Sequence, residues 1–402
     1  MILDFVQPKA WWWGGAIAPI MGWLGTTTVT SITDTTATLT WEWLSDWGSS
    51  ITATWFTLYL SWNPTYTIWS PWVTDIPDIS LPSPITANAS SLLPWTNYCI
   101  RPYATNSVWT SYWVQVCFTT ASFLYVTNSN ASWTVSKINT STNTIWTTIG
   151  VWNSPQVIKK NWTFAYVLNT NWSSVSKIDL ATDTVSATIT VWVVPQDIVF
   201  QWIYAYVSNR ASWTVSKINT STNTVVATIS GVGAASWLTI NGTLLYATQN
   251  NALWDITIID LTTDTVIGNI TWVWTFTYRI VNDWTYLYFT RATSPWQVVK
   301  VNIATSTVVW TVTTWNNSQG IAMDWGLLYV LARNGNLLEK IDPVTMTVLG
   351  SISVTNPTSI QIVSWFAYVV ENWWSLRKIS VPGLTLSTSY TMAAWWYGVM
   401  VP

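Results

Sequence analysis

The sequence predicts an all-β chain dominated by a seven-bladed β-propeller, with a smaller all-β domain ahead of it. Three observations carry this. A motif first met at 123–143, FLYVTNSNASWTVSKINTSTN, returns six more times in looser form. Its tyrosine recurs as Tyr125, Tyr166, Tyr206, Tyr246, Tyr288, Tyr329 and Tyr368, at separations of 41, 40, 40, 42, 41 and 39 residues. Within each return, short β-branched runs alternate with turn residues, as in AYVLN, SVSKIDL and VSATI between 165 and 189. That is the pattern of half-buried strands rather than helices. A four-stranded unit of this size cannot bury both faces alone and must stack on its neighbours.

A second marker follows each tyrosine, ending at Asn139, Asp179, Asn219, Asp260, Asn302, Asp342 and Ser380. The repeat region, 122–402, opens on the second strand of a unit, whereas elsewhere a first strand such as PQVIKK or PQDIVF comes before it. The missing strand stands at the other end as YGVMVP, 397–402, and is expected to complete the first blade and close the ring, leaving no exposed sheet edge there.

The residues YVTN, VSKIN and TNTVVATI resemble the YVTN family of bacterial and archaeal β-propeller repeats, strongly in the first three units and more weakly in the last four. The resemblance implies an extracellular or cell-surface protein.

Residues 26–120 carry further strand-like runs, and 92–120, LLPWTNYCIRPYATNSVWTSYWVQVCFTT, resembles the fibronectin type III-like modules of bacterial surface proteins. Pro94, Thr96, Tyr98, Arg101, Tyr103, Ala104, Thr110 and Tyr112 match that pattern, while Trp95, Trp109 and Trp113 occupy its glycines. The resemblance implies a β-sandwich with Tyr98 in a tyrosine-corner role. The stretch 62–91 fits poorly and is expected to be an irregular excursion. Cys99 and Cys117 fall opposite each other on a hairpin, on the face away from Tyr98, Ile100 and Phe118; they form a disulfide or stand as two free thiols.

Composition holds an anomaly: 36 Trp but only 16 Gly in 402 residues, where about 7% glycine would give roughly 28. The tryptophans fall in turn columns. Four residues before the tyrosine stand Trp162, Trp202, Gly242, Trp284 and Trp325; five before the lysine stand Trp172 and Gly335. Such hairpin turns need positive φ, which glycine accepts and tryptophan does not. Most of these tryptophans are therefore expected to be glycines in the cell, because some bacteria read UGA as glycine. The competing reading is a Trp-rich, sugar-stacking surface.

Residues 1–25 read poorly as a signal peptide, with Asp4 near the start and Lys9 the sole basic residue; they are expected to be a Gly-rich-like linker or the start of a fragment. No apolar run is long enough for a transmembrane helix. A net charge of −2 with 8% charged residues leaves no basic field for nucleic acid. The absence of histidine removes His-based nucleophilic, zinc and haem sites, and no DxDxDG or GxxxxGK[ST] loop occurs. No cofactor and no catalytic or metal site is expected. The lysine column, Lys137, Lys177, Lys217, Lys300, Lys340 and Lys378, reads as one strand position repeated round the ring, each charge at a solvated end.

Arg210, Arg291, Arg333 and Glu371 follow their tyrosines within four residues, in loops that a propeller gathers around one channel mouth. They are the candidate ligand face, for a cell-wall glycan or another surface protein. The expected function is non-catalytic recognition or adhesion; the alternatives are a structural envelope-layer protein or a propeller enzyme of lactonase-like or quinoprotein-like type.

Overall fold

Each tyrosine motif forms a strand buried on both faces: Phe123–Asn128, Phe164–Asn169, Tyr204–Asn209, Leu244–Gln249, Tyr286–Arg291, Leu327–Ala332 and Phe366–Glu371. Strands covered on both sides lie inside stacked layers. The structure, a computed structural model, describes residues 27–400 except 34–35, 42–50, 61–72, 79–84, 91, 93–95, 107–109, 113, 121–122, 130–132, 141, 143, 250–255, 272–276, 292–293, 316, 364–365, 372–374 and 392–395. The expected linker at 1–25, and Pro94, Trp95, Trp109 and Trp113 of the resemblance, lie outside the described residues. The chain divides into two units, Met1–Ser122 and Phe123–Pro402.

Among the described residues the second unit holds seven antiparallel four-stranded sheets. Six are built from strands consecutive in sequence. The second sheet, for example, comprises Pro155–Asn161, Phe164–Asn169, Ser174–Asp179 and Thr184–Thr190. The first sheet takes its missing strand from the far end of the chain: Trp396–Met400 pairs antiparallel with Phe123–Asn128. The inner strand of each sheet touches the inner strand of the next, and Trp396–Met400 touches those of both the seventh and the second sheets. Fourth strands are mostly exposed, as in the pattern eieieBe of Thr184–Thr190.

The apolar cores lie between sheets. Tyr206, Val215 and Ile229 of the third sheet pack with Leu238, Leu245 and Ile259 of the fourth. Leu124, Val126 and Val399 of the first pack with Tyr368, Val370 and Leu376 of the seventh. All seven repeat tyrosines are buried. Burial raises the pKa of Tyr166 to about 12, against a hydrogen bond with Thr220 that lowers it. In all seven sheets the register slips at one place between the third and fourth strands, directly after the lysine column or its equivalent. A bulge there re-aims the side chain beside it.

The first unit contains the sheet Thr27–Thr30, Ala37–Trp41, Ile85–Ala89 and a five-stranded sheet of Val73–Asp78, Ile51–Leu60, Asn97–Asn106, Thr110–Tyr112 and Val116–Thr119. One core takes Leu39 and Trp41 from the former and Phe56, Ile100 and Phe118 from the latter. Contrary to the sequence expectation, the stretch 62–91 supplies two of these strands, Val73–Asp78 and Ile85–Ala89. Both lie at sheet edges, where a proline such as Pro77 is tolerated. Cys99 and Cys117 stand directly opposite and are joined by a disulfide, while Tyr98 and Phe118 beside them stack at 6.0 Å.

Candidate functional site

The lysine column behaves differently from the solvated reading. Each of its lysines sits across from its tyrosine in the adjacent strand. Lys137 and Lys177 are buried, and the ammonium lies over the ring that opens the second strand: Phe123 at 4.3 Å, Phe164 at 4.0 Å and, for Lys217, Tyr204 at 4.5 Å. From there it reaches the turn between the third and fourth strands of the following sheet. Lys137 donates to Asp183 at 2.9 Å, Lys177 to Asn223 at 3.1 Å and to the Thr220 carbonyl at 2.8 Å, and Lys217 to Asp264 at 2.8 Å.

Where that turn offers Met346 or Leu384 instead, Lys300 donates to the Pro343 carbonyl at 2.7 Å, and Lys340 to those of Val381 and Pro382 at 3.4 and 3.3 Å. In the fourth sheet Ile258 takes the lysine's place opposite Tyr246. Burial lowers the pKa of Lys177, with Asp179 opposing weakly. Burial acts the same way on Lys217, but its hydrogen bond and charge pairing with Asp264 outweigh it and the net shift is upward. These lysines are cross-sheet latches.

The four candidate recognition residues divide into two columns. Arg210 and Arg333 lie in the turn after the second strand. Arg210 is exposed; Arg333 reaches Asn356, before the next sheet's inner strand, at 2.9 Å. Arg291 and Glu371 are the last residues of their strands, in the column of Asn128, Asn169 and Asn209, whose amides donate to serines of the third strand at 2.9 Å. Arg291 donates to Gln297 at 2.9 Å. Glu371 is buried, accepting from Arg377 at 3.1 Å and from the Thr355 amide at 2.6 Å. Its carboxylate is thus turned to its own sheet and the loop before it, not outward.

The sequence reading did not single out an axial cavity of about 230 Å³ lined by inner strands of the second to seventh sheets. Lys159, Asp197, Trp237, Arg279 and Gln361 are its polar and aromatic lining. Lys159 pairs with Asp197 at 2.6 Å, and the other Asp197 oxygen accepts the Leu238 amide at 3.0 Å. The Arg279 guanidinium stands over the Trp237 ring at 4.2 Å. Its pKa is lowered by burial, with the Asp197 charge opposing. The available signal was one column, in which Asp197 and Arg279 replace the Val157, Gly320, Ser359 and Gly398 of other units. Among the described residues no three His, Cys, Asp or Glu side chains gather as a metal site, and no helix is long and apolar enough to cross a membrane.

Glu339 of Leu337–Asp342 is also buried, and its described partner is the Trp315 amide at 3.3 Å. Burial raises its pKa. Between the ordinary carboxylate pKa and this raised one, the folded state holds a proton that the unfolded chain has lost, so stability falls as pH rises. Glu339→Gln is therefore expected to raise the Tm at pH 7, by roughly 3 °C, and to flatten the gain in Tm that the parent shows on mild acidification; thermal melts from pH 7 to pH 5 check both.

No protein-family description matches the chain, and no curated protein does. Solved structures do. The chain is similar to Kuenenia stuttgartiensis hydrazine synthase (16% identity, TM-score 0.57), with 68% of this chain and 93% of that one covered. It is also similar to apo AztD from Citrobacter koseri (10% identity, TM-score 0.53), with 70% and 98% covered. A second AztD structure from that organism gives 10% identity and a TM-score of 0.51. At such identities the likeness shows the fold alone: an all-β fold of β-propeller type.

Proposed function

We propose that the chain is a seven-bladed YVTN-type propeller preceded by a fibronectin type III-like β-sandwich, and that it serves as a non-catalytic recognition or adhesion protein outside the cell or at its surface. The single observation that carries the reading is the cyclic run of inner-strand contacts through seven sheets, with Trp396–Met400 joining the first sheet to both the second and the seventh. A closed ring brings equivalent turns of all sheets to one end, and such a surface is suited to holding a partner. The core shared by two sheets in the first unit and the disulfide between Cys99 and Cys117 support the sandwich and an oxidising compartment.

Arg210 and Arg333, in equivalent turns, with Arg291 one residue earlier in its own repeat, form the recognition face for an anionic or polar cell-wall glycan. Purified protein is expected to sediment with isolated peptidoglycan. Replacing Arg210, Arg291 and Arg333 together by alanine should reduce the bound fraction at least tenfold in protein that circular dichroism shows to be folded, with some loss of Tm from the bonds to Gln297 and Asn356; full retention of binding contradicts the assignment.

The same proposal covers the tryptophans. Trp133, Trp162, Trp202, Trp213, Trp284 and Trp325 all have positive φ, between 41° and 73°, as does Gly242 in the same column as four of them. Trp162, Trp202, Trp284 and Trp325 are 82, 78, 76 and 73% exposed, so their indoles bury little that could offset the strain. At about 1–2 kcal/mol per left-handed non-glycine residue, six cost on the order of 6–12 kcal/mol, comparable with a whole domain's stability of about 5–15. We read these six as glycines encoded by UGA in the native organism. Trp41, 1% exposed in the core of the first unit, is read as a genuine tryptophan. Peptide mass spectrometry of protein from its own organism should give glycine at 162 and 202; tryptophan mass there overturns this reading.

A further inference from the structure

The axial cavity carries one cation, Arg279, that no carboxylate among the described residues pairs with. Lys159 and Asp197 cancel at 2.6 Å, and the second Asp197 oxygen is engaged by the Leu238 amide. Arg279 remains. Among the described residues no carboxylate lies within salt-bridge distance of it and its guanidinium makes no hydrogen bond; its neighbour is the Trp237 ring. Its five donors take no acceptor from the described residues and are open to the cavity, so they are available to a bound anion. By contrast, Lys137, Lys217 and Arg377 each face a carboxylate, of Asp183, Asp264 and Glu371 respectively.

We propose that the cavity binds a small monocarboxylate, the carboxylate paired in bidentate fashion with Arg279 and its short apolar body lodged against the inner strands. The planar fork of arginine matches a carboxylate's two oxygens. One net positive charge in the lining suits a monoanion, and the buried Asp197 carboxylate opposes a dianion. At about 230 Å³ the space is below the roughly 300–1,000 Å³ of pockets for drug-sized ligands, so the occupant is small. Ile280, Ile321 and Ile360 supply apolar wall, and Gln361 can hydrogen-bond a polar substituent. Trp237 shares its column with Gly320 and Gly398 and has an ordinary φ, so the site is anchored on Arg279 and not on the indole. It is separate from the turn face proposed above, and loss of either leaves the other standing.

The test is calorimetric titration of the full chain with butyrate at pH 7 and fixed ionic strength, with inorganic phosphate titrated in parallel. Saturable binding of butyrate, tighter than that of phosphate, is expected. Arg279→Gln should weaken it at least tenfold, Arg279→Lys should fall between, and Trp237→Gly should bind within a few-fold of the parent. Absence of saturable binding, a preference for phosphate, or undiminished binding by Arg279→Gln overturns the assignment. Should Arg279→Gln fail to fold, the rate of Arg279 modification by phenylglyoxal in the unsubstituted protein decides: butyrate is expected to slow it several-fold, and an unchanged rate overturns the site.

Discussion

The ring depends on what joins one sheet to the next. A four-stranded sheet of this size has two apolar faces and no core of its own, so its stability resides in the neighbouring sheet. Apolar contact supplies most of the energy but little direction. Direction comes from the lysine latch: an ammonium laid over an aromatic ring in its own sheet, its remaining donors fixed on a turn of the following sheet. At Lys137, Lys177, Lys217 and Lys300 the latch combines a cation over a ring face with hydrogen bonds from the ammonium, whereas at Lys340, where Leu327 opens the second strand, the hydrogen bonds to Val381 and Pro382 carry it. The chemistry of the turn adjusts to the latch. Asp183, Asn223 and Asp264 offer side-chain oxygens, and where Met346 and Leu384 offer none the lysine takes backbone carbonyls nearby.

Those turn residues all have positive φ, as do Ser306 and the six strained tryptophans. The two facts belong together. A left-handed turn presents its side chain and carbonyls to the adjoining sheet, and Asp and Asn tolerate that conformation better than other non-glycine residues. Tryptophan gains nothing from it. At the strained tryptophan positions Trp202 and Trp213 no cross-sheet acceptor is supplied by the indole, and a glycine would serve the backbone equally well.

Much of this could be read from the sequence, because the tyrosine and lysine columns repeat and the strands alternate with period two. The pairing of Trp396–Met400 with Phe123–Asn128 has its counterpart in the phase of the first repeat, which leaves a strand missing at one end and spare at the other. Features set by non-local contact were not. Val73–Asp78 and Ile85–Ala89 are short edge strands, one with a proline inside it, and carry little periodic signal. The second glycine column was misplaced by one residue: the positive φ falls on Ser173 and Asn336, not on Trp172 and Gly335. Glu371 looked like a loop charge because its partner Arg377 lies on the next strand. The axial cavity unites Lys159, Asp197 and Arg279 from three different repeats, and only the packing of sheet on sheet brings them together. The lysine column was visible, but its reach into the following sheet was not, since a column records position and not direction.

The latch is tested most directly by a double-mutant cycle on Lys217→Met and Asp264→Gly, followed by denaturant unfolding, glycine being chosen because it keeps the turn's positive φ without strain. The pair is partly exposed, with side-chain exposures of 12% and 26%, so its coupling belongs toward the lower part of the range for contacting residues. The predicted result is a coupling of about 1 kcal/mol, diminished by high salt. Additive losses, with no coupling at low salt, would contradict the account.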